Sequence, residues 1–143
     1  MALGLINIGF VFFSGGEFPK AIDAWSNAEK ISVEIGSADL TDHARSNLAG
    51  LYHSIGEMKK SEELFDVLLK DKLKRKNRDN LGLVYYNLGA VQYENHKPNQ
   101  ALSNLRTAIS LLQSENDLAS VASCFNYLGG IFLDDKKLDS AFL

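Results

Sequence analysis

Apolar residues along this chain return every three or four positions, in blocks separated by short polar or glycine-bearing breaks. Leu5, Ile8, Gly9 and Phe12 stand at i, i+3, i+4 and i+7, a spacing that lays them along one stripe of a helix. After Gly15-Gly16 comes Pro19, suited to a first helical turn, and a second stripe follows in Ala21, Trp25 and Ala28. The pattern predicts two antiparallel helices joined by a tight turn. Small residues at Gly9, Ala21 and Ala28 let the backbones approach, Phe12 and Trp25 fill the remaining space, and Gly15-Gly16 ends the first helix through a positive φ.

The same unit recurs. Shifting the sequence by 40 residues aligns Asn7 with Asn47 and Asn87, and Ile8-Gly9 with Leu48-Ala49, Leu88-Gly89 and Leu128-Gly129. Phe12 falls on Tyr52 and Phe132, and Ala21 on Ser61, Ala101 and Ala141. Helices are predicted at 2–14, 18–35, 40–55, 58–76, 80–95, 98–114 and 118–134, with an eighth starting at Leu138. The repeats run 2–38, 42–78, 82–117 and 122–143, the last one short, within a single array over 1–143. A solenoid wants polar caps, whereas this chain opens inside a first helix and stops at "LDSAFL" inside a second. The expectation is a piece of a longer array. Apolar surface at Leu3, Phe10, Phe13, Ala141, Phe142 and Leu143 should then promote self-association.

Composition narrows the chemistry. With 143 residues, 45% hydrophobic and 23% charged, the chain is long enough for a folded core, and a net charge of −3 gives no drive toward nucleic acid or an anionic membrane. The apolar opening lacks a basic leader, since the first Lys or Arg is Lys20, and it is too short to span a bilayer. A single cysteine, Cys124, forms no internal disulfide and fits a reducing, cytoplasmic setting; among Val121, Ala122 and Phe125 it reads as a packed thiol. Gly9, Gly15 and Gly16 make no phosphate loop, because no strand precedes them and no Lys-Ser/Thr follows. His43 and His53 stand ten apart on one helix, too far for neighbouring metal ligands. Neither cofactor nor metal is expected. The run "KDKLKRKNR", residues 70–78, puts six basic residues against one acid at a helix C-terminus, where cations suit the dipole; the alternative is a patch for an anion or nucleic acid.

These stripes resemble the tetratricopeptide repeat (TPR), W-x₂-L-G-x₂-Y followed by A-x₃-F. Copy one reads Leu5-x₂-Ile8-Gly9-x₂-Phe12, then Ala21-x₃-Trp25-x₂-Ala28. Copy two carries Arg45, Leu48, Ala49, Tyr52, Ser61, Phe65 and Leu68; copy three Tyr85, Leu88, Gly89, Gln92, Ala101, Leu105 and Ala108; copy four Phe125, Leu128, Gly129 and Phe132. The usual period is about 34 residues with a helix-ending Pro, but here it is 40, and Val33, Leu73 and Gln113 stand where that Pro often falls. The long period is similar to repeats of spindle-orientation adaptors, bacterial regulators and peptide-pheromone receptors. The resemblance implies an all-α, right-handed TPR superhelix, an α-solenoid of antiparallel helix pairs with about three and a half repeats.

In such a superhelix the first helix of each pair lines the concave side. The face opposite Leu5, Ile8 and Phe12 holds Leu3, Asn7, Phe10 and Ser14, then His43, Asn47, Gly50 and Ser54. It continues with Leu83, Asn87, Ala90 and Glu94, then Ser123, Tyr127, Gly130 and Asp134, flanked by His53, Tyr86, Tyr93 and Asn126. Asparagine amides donate and accept at once, which suits a peptide backbone; the alternative role for them is bridging neighbouring helices. Similar asparagine ladders hold peptide backbone in the superhelix of O-linked N-acetylglucosamine transferase and in the pheromone receptors, which by resemblance gives that role to Asn7, Asn47 and Asn87. The chaperone-binding members use lysine and arginine where this chain has Leu3, His43, Leu83 and Ser123, so chaperone tails are not the expected ligand. The candidate groove is therefore Asn7, Phe10, His43, Asn47, His53, Tyr86, Asn87, Tyr93, Asn126 and Tyr127. The expected function is a non-enzymatic scaffold binding a protein or linear peptide; the alternative is the sensor portion of a larger bacterial regulator or signalling enzyme.

Overall fold

A computed structural model describes the backbone of residues 1–141 and the side chains of residues 1–137. The described residues form seven α-helices and no strand: α1 (Ala2–Ser14), α2 (Phe18–Glu34), α3 (Ala38–Ser54), α4 (Met58–Lys74), α5 (Leu81–Glu94), α6 (Pro98–Ser114) and α7 (Leu118–Ala141). They divide into two compact units, Met1–Leu68 and Leu69–Leu143.

The backbone follows a step half as long as the sequence repeat. Left-handed residues stand at Gly16, Gly36, Gly56, Lys76, His96 and Asn116, one every 20 residues. At the first of them, Gly16 N donates to the Phe13 carbonyl at 3.0 Å and Glu17 N to the Phe12 carbonyl at 2.8 Å. The same pair of bonds recurs at each step, ending with Asn116 N to Gln113 and Asp117 N to Leu112. These bonds satisfy carbonyls that a helix end would otherwise leave open. The following residue offers its own carbonyl to the next helix, as Glu17 does to Ala21 N and Ser37 to Thr41 N. A 17-residue helix and a three-residue connection thus make one step. Between α4 and α5 the connection is longer, residues 75–80, and includes a further left-handed residue, Asn80. Here α5 has only 14 residues, so the step is kept by shortening the helix.

In the first unit, Ile6, Ala21, Trp25, Ala28, Ala44, Leu48 and Leu51 form the core. Trp25 is only 2% exposed and lies over Gly9, where a Cβ would stand 2.2 Å from the indole Nε1. That nitrogen donates to the Ile6 carbonyl at 3.0 Å, so the largest core side chain leaves no polar atom unsatisfied. In the second unit, Ala101, Leu105, Ala108, Leu112, Val121, Cys124, Leu128 and Ile131 form the core, and a Cβ on Gly89 would stand 2.8 Å from Leu105 Cγ. Cys124 is fully buried, and burial pushes its thiol pKa up, as befits a packed rather than a reactive cysteine.

Three expectations change. Ile8, placed on the buried stripe, is 47% exposed, while Ile6 is buried in its stead. Its counterparts Leu48 and Leu128 are buried because they pack into the cores built on α2 and α6; no described helix lies against that side of α1. Gly129, expected to admit a close helix, would meet nothing within 4 Å if given a Cβ. The eighth helix predicted from Leu138 does not separate, since α7 runs unbroken to Ala141. A left-handed turn at a non-glycine residue costs about 1–2 kcal/mol. At Lys136, the next position in the 20-residue series, no packed helix offsets that cost, and the helix continues. Of the expected apolar contacts at this end, Phe142, Leu143 and the Ala141 side chain lie outside the described residues.

Candidate functional site

The sequence-derived site residues divide between the two units. Asn7, Phe10, His43, Asn47 and His53 lie on α1 and α3 of the first, and Tyr86, Asn87, Tyr93, Asn126 and Tyr127 on α5 and α7 of the second.

In the second unit the structure brings three of them together. The Tyr127 ring lies between those of Tyr86 and Tyr93, at centroid distances of 6.0 and 5.9 Å and edge-to-face angles of 64° and 77°. Such contacts fix ring orientation. The hydroxyls are fixed too: Tyr93 donates to Asp134 Oδ2 at 2.8 Å and Tyr127 to Glu94 Oε1 at 3.0 Å. The hydrogen bond to Asp134, more than burial, raises the Tyr93 pKa; for Tyr127 burial is the larger cause, ahead of the bond to Glu94. Gly130 leaves room at the α7 side of this face, because a Cβ there would stand 2.8 Å from the Tyr93 oxygen and displace it. The result is a half-exposed aromatic surface, with Asn87 next to Tyr86 in the chain and two carboxylates holding its edge. Ala90, expected on the same face, is buried instead, and Asn126 points to solvent.

The first unit is plainer. Asn7 and His43 are exposed, and Asn47 and His53 are half-buried. Phe10 is 48% exposed, and its ring meets that of Trp25 edge-to-face with centroids 5.4 Å apart. α1 is apolar nearly all round, and its side toward α2 takes Phe10 as well as Phe12. None of Asn7, Asn47 and Asn87 bridges two helices among the described residues. No buried side-chain nitrogen or oxygen lacks a partner there, so the amides of half-buried Asn47 and Asn87 reach solvent.

Successive antiparallel helices, of which α1 to α6 are each closed by the same pair of bonds, packed small residue against large, define a tetratricopeptide-like helical-repeat fold. Solved structures share it. BtubC (BKLC) from P. vanneervenii superposes with a TM-score of 0.80 at 25% identity, over 94% of this chain and 56% of that one. The nearly identical TPR-like repeats of a kinesin light chain from Podosopora anserina superpose with a TM-score of 0.72 at 13% identity, over 96% of this chain and 72% of that one. Among curated proteins, the transcription activator GutR of Bacillus subtilis (strain 168) is 31% identical over 108 residues, 74% of this chain. The chain spans 12% of the length of GutR and 56% of that of BtubC. No family model matches the chain. No helix among the described residues is long and apolar enough to cross a membrane.

Proposed function

We propose that the chain is a protein-interaction module, without chemistry of its own, that receives a linear segment of a partner along the faces of its first helices. The observation that carries this reading is the α5–α7 surface. Its three tyrosines are held in place by contacts to one another and to Asp134 and Glu94, yet they remain half-exposed. Rigid, amphipathic tyrosine faces give large contact area at little entropic cost. The open amides of Asn47 and Asn87 add donors and acceptors suited to a peptide backbone.

A second reading has its own support. The likeness to GutR, whose name describes a transcription activator, favours a ligand-sensing portion of a larger bacterial regulator, in which the same faces receive the signal.

A displayed library of random peptides, panned on the immobilised full chain, tests the first reading. Enriched peptides should lose about 1–3 kcal/mol of binding to an Asn47→Ala/Asn87→Ala variant, because their amides would enter the face without partners. The melting temperature should stay unchanged. Loss of stability with intact affinity per folded molecule, or no enrichment of any peptide, would overturn the assignment.

A further inference from the structure

The basic run at residues 70–78 is not absorbed by the reading above. Between the end of α4, the long α4–α5 connection and α6, the structure forms a cleft of about 370 Å³, within the range of small-molecule sites. Lys72, Lys76 and Arg78 line it, and no carboxylate does, in a chain whose net charge is −3. Leu73, Leu81 and Leu111 supply apolar wall, with Tyr85 beside them.

Completing a helix end does not account for these cations. Helices α1, α2, α5 and α6 have no basic residue in their last turns, and α3 has only His53, yet each closes with the same two backbone bonds. Position 72 also stands apart in the 20-residue series. Its counterparts are Phe12, Ser32, Tyr52, Gln92 and Leu112, whereas here a lysine is buried, its Nζ donating to the Asp79 carbonyl at 2.9 Å. That bond, together with Asp79 N to Asn77 Oδ1 at 2.8 Å, holds the long connection in a defined shape. Lys76 and Asn77 come from the connection positions common to every step, and Arg78 is one of the three residues that α5 gives up.

We propose that this cleft binds a phosphate monoester with an apolar or aromatic body, either a free small molecule or a phosphorylated side chain. The exposed cations Lys76 and Arg78 match a dianion better than a single carboxylate, Arg78 can grip two phosphate oxygens at once, and the leucines and Tyr85 receive the apolar part.

Calorimetric titration of the full chain tests this, with phenyl phosphate, inorganic phosphate and a pentapeptide centred on phosphotyrosine as probes. Phenyl phosphate should saturate one site, bind at least tenfold more tightly than inorganic phosphate, and weaken as salt rises. A Lys76→Gly/Arg78→Gln variant should lose tenfold or more. It should melt no lower than the parent, because glycine suits the left-handed φ of 55° at position 76. A peptide tenfold tighter than phenyl phosphate assigns the source to a phosphorylated side chain, and equal or weaker binding assigns it to a free ester. The proposal is overturned if phenyl phosphate fails to saturate, if inorganic phosphate binds equally well, or if a folded double variant keeps the parent affinity.

Discussion

Gly9 and Gly129 hold the same position in the repeat, but a Cβ on the first would strike the Trp25 indole and a Cβ on the second would meet nothing. Alanine should therefore act in opposite directions at the two sites. Gly9→Ala overpacks a buried contact and should cost about 1–3 kcal/mol, whereas Gly129→Ala should gain about 0.5–1 kcal/mol from helix propensity. Thermal melts of the two variants check this, and a reversed order would show that the packing of α1 on α2 is misassigned. The tyrosine face makes a prediction in pH. Tyr93 and Tyr127 both have raised pKa values, so their phenols stay protonated in the folded chain after those of the unfolded chain have ionised. Their contribution is thus complete below about pH 10 and falls away as pH rises further. Denaturation midpoints followed from about pH 8 to 12 should decline less steeply in Tyr127→Phe than in the parent; an identical slope would count against the bond to Glu94. At this scale, Gly9 beneath Trp25 was legible because small and large residues alternate at helical spacing. The exchange of Ile8 for Ile6 was not, since a stripe records which residues are apolar but not which neighbouring helix is there to cover them.

Gly15-Gly16 marked the end of α1 in advance, and the predicted helix positions through α6 agree closely with those observed. The 20-residue step beneath them stayed hidden, because Lys76, His96 and Asn116 occupy the same backbone conformation without the residue that announces it. Backbone closure and packing impose a left-handed φ on residues that resist it. His96 has a φ of 60°, and its counterparts at 16, 36 and 56 are glycines. His96→Gly should therefore stabilise the protein by about 0.5–1 kcal/mol, the relief of strain outweighing glycine's greater chain entropy. The melting temperature should rise by a few degrees; a fall would mean that the His96 side chain makes contacts worth more than the strain. The unbroken α7 shows the same balance from the other side. After Lys76 the Asn77 side chain accepts from Asp79 N and shapes the turn, whereas Lys136 is followed by Lys137 and the helix runs on.

At the scale of the molecule, apolar faces remain uncovered on α1 and α7. Ile8 and Val11 on the former and Phe125, Phe132 and Leu133 on the latter are 47% to 69% exposed. Such surface favours association, so sedimentation should show weight-average mass rising with concentration, and a Phe125→Lys/Phe132→Lys variant should reduce the rise. A monomer at all concentrations would count against this. The candidate site was legible in part. Tyrosines and asparagines at repeat spacing pointed to the α5–α7 face, but the hydroxyl bonds that orient its rings depend on how two helices set against each other, which no periodicity encodes. The cleft beside the basic run was not legible, because it arises from a connection that lengthens while its helix shortens. The uniform joints have a consequence for how such a chain changes over generations. Helices α1 to α6 all close on the same two bonds, and, α5 apart, the next helix begins at the same offset. Unequal recombination between copies, which adds or removes 40 codons, therefore rejoins the chain at a joint whose chemistry matches the one it replaces. Copy number can drift without a new turn having to be invented, while the features that break the uniformity, the long α4–α5 connection above all, are those that such an exchange would erase.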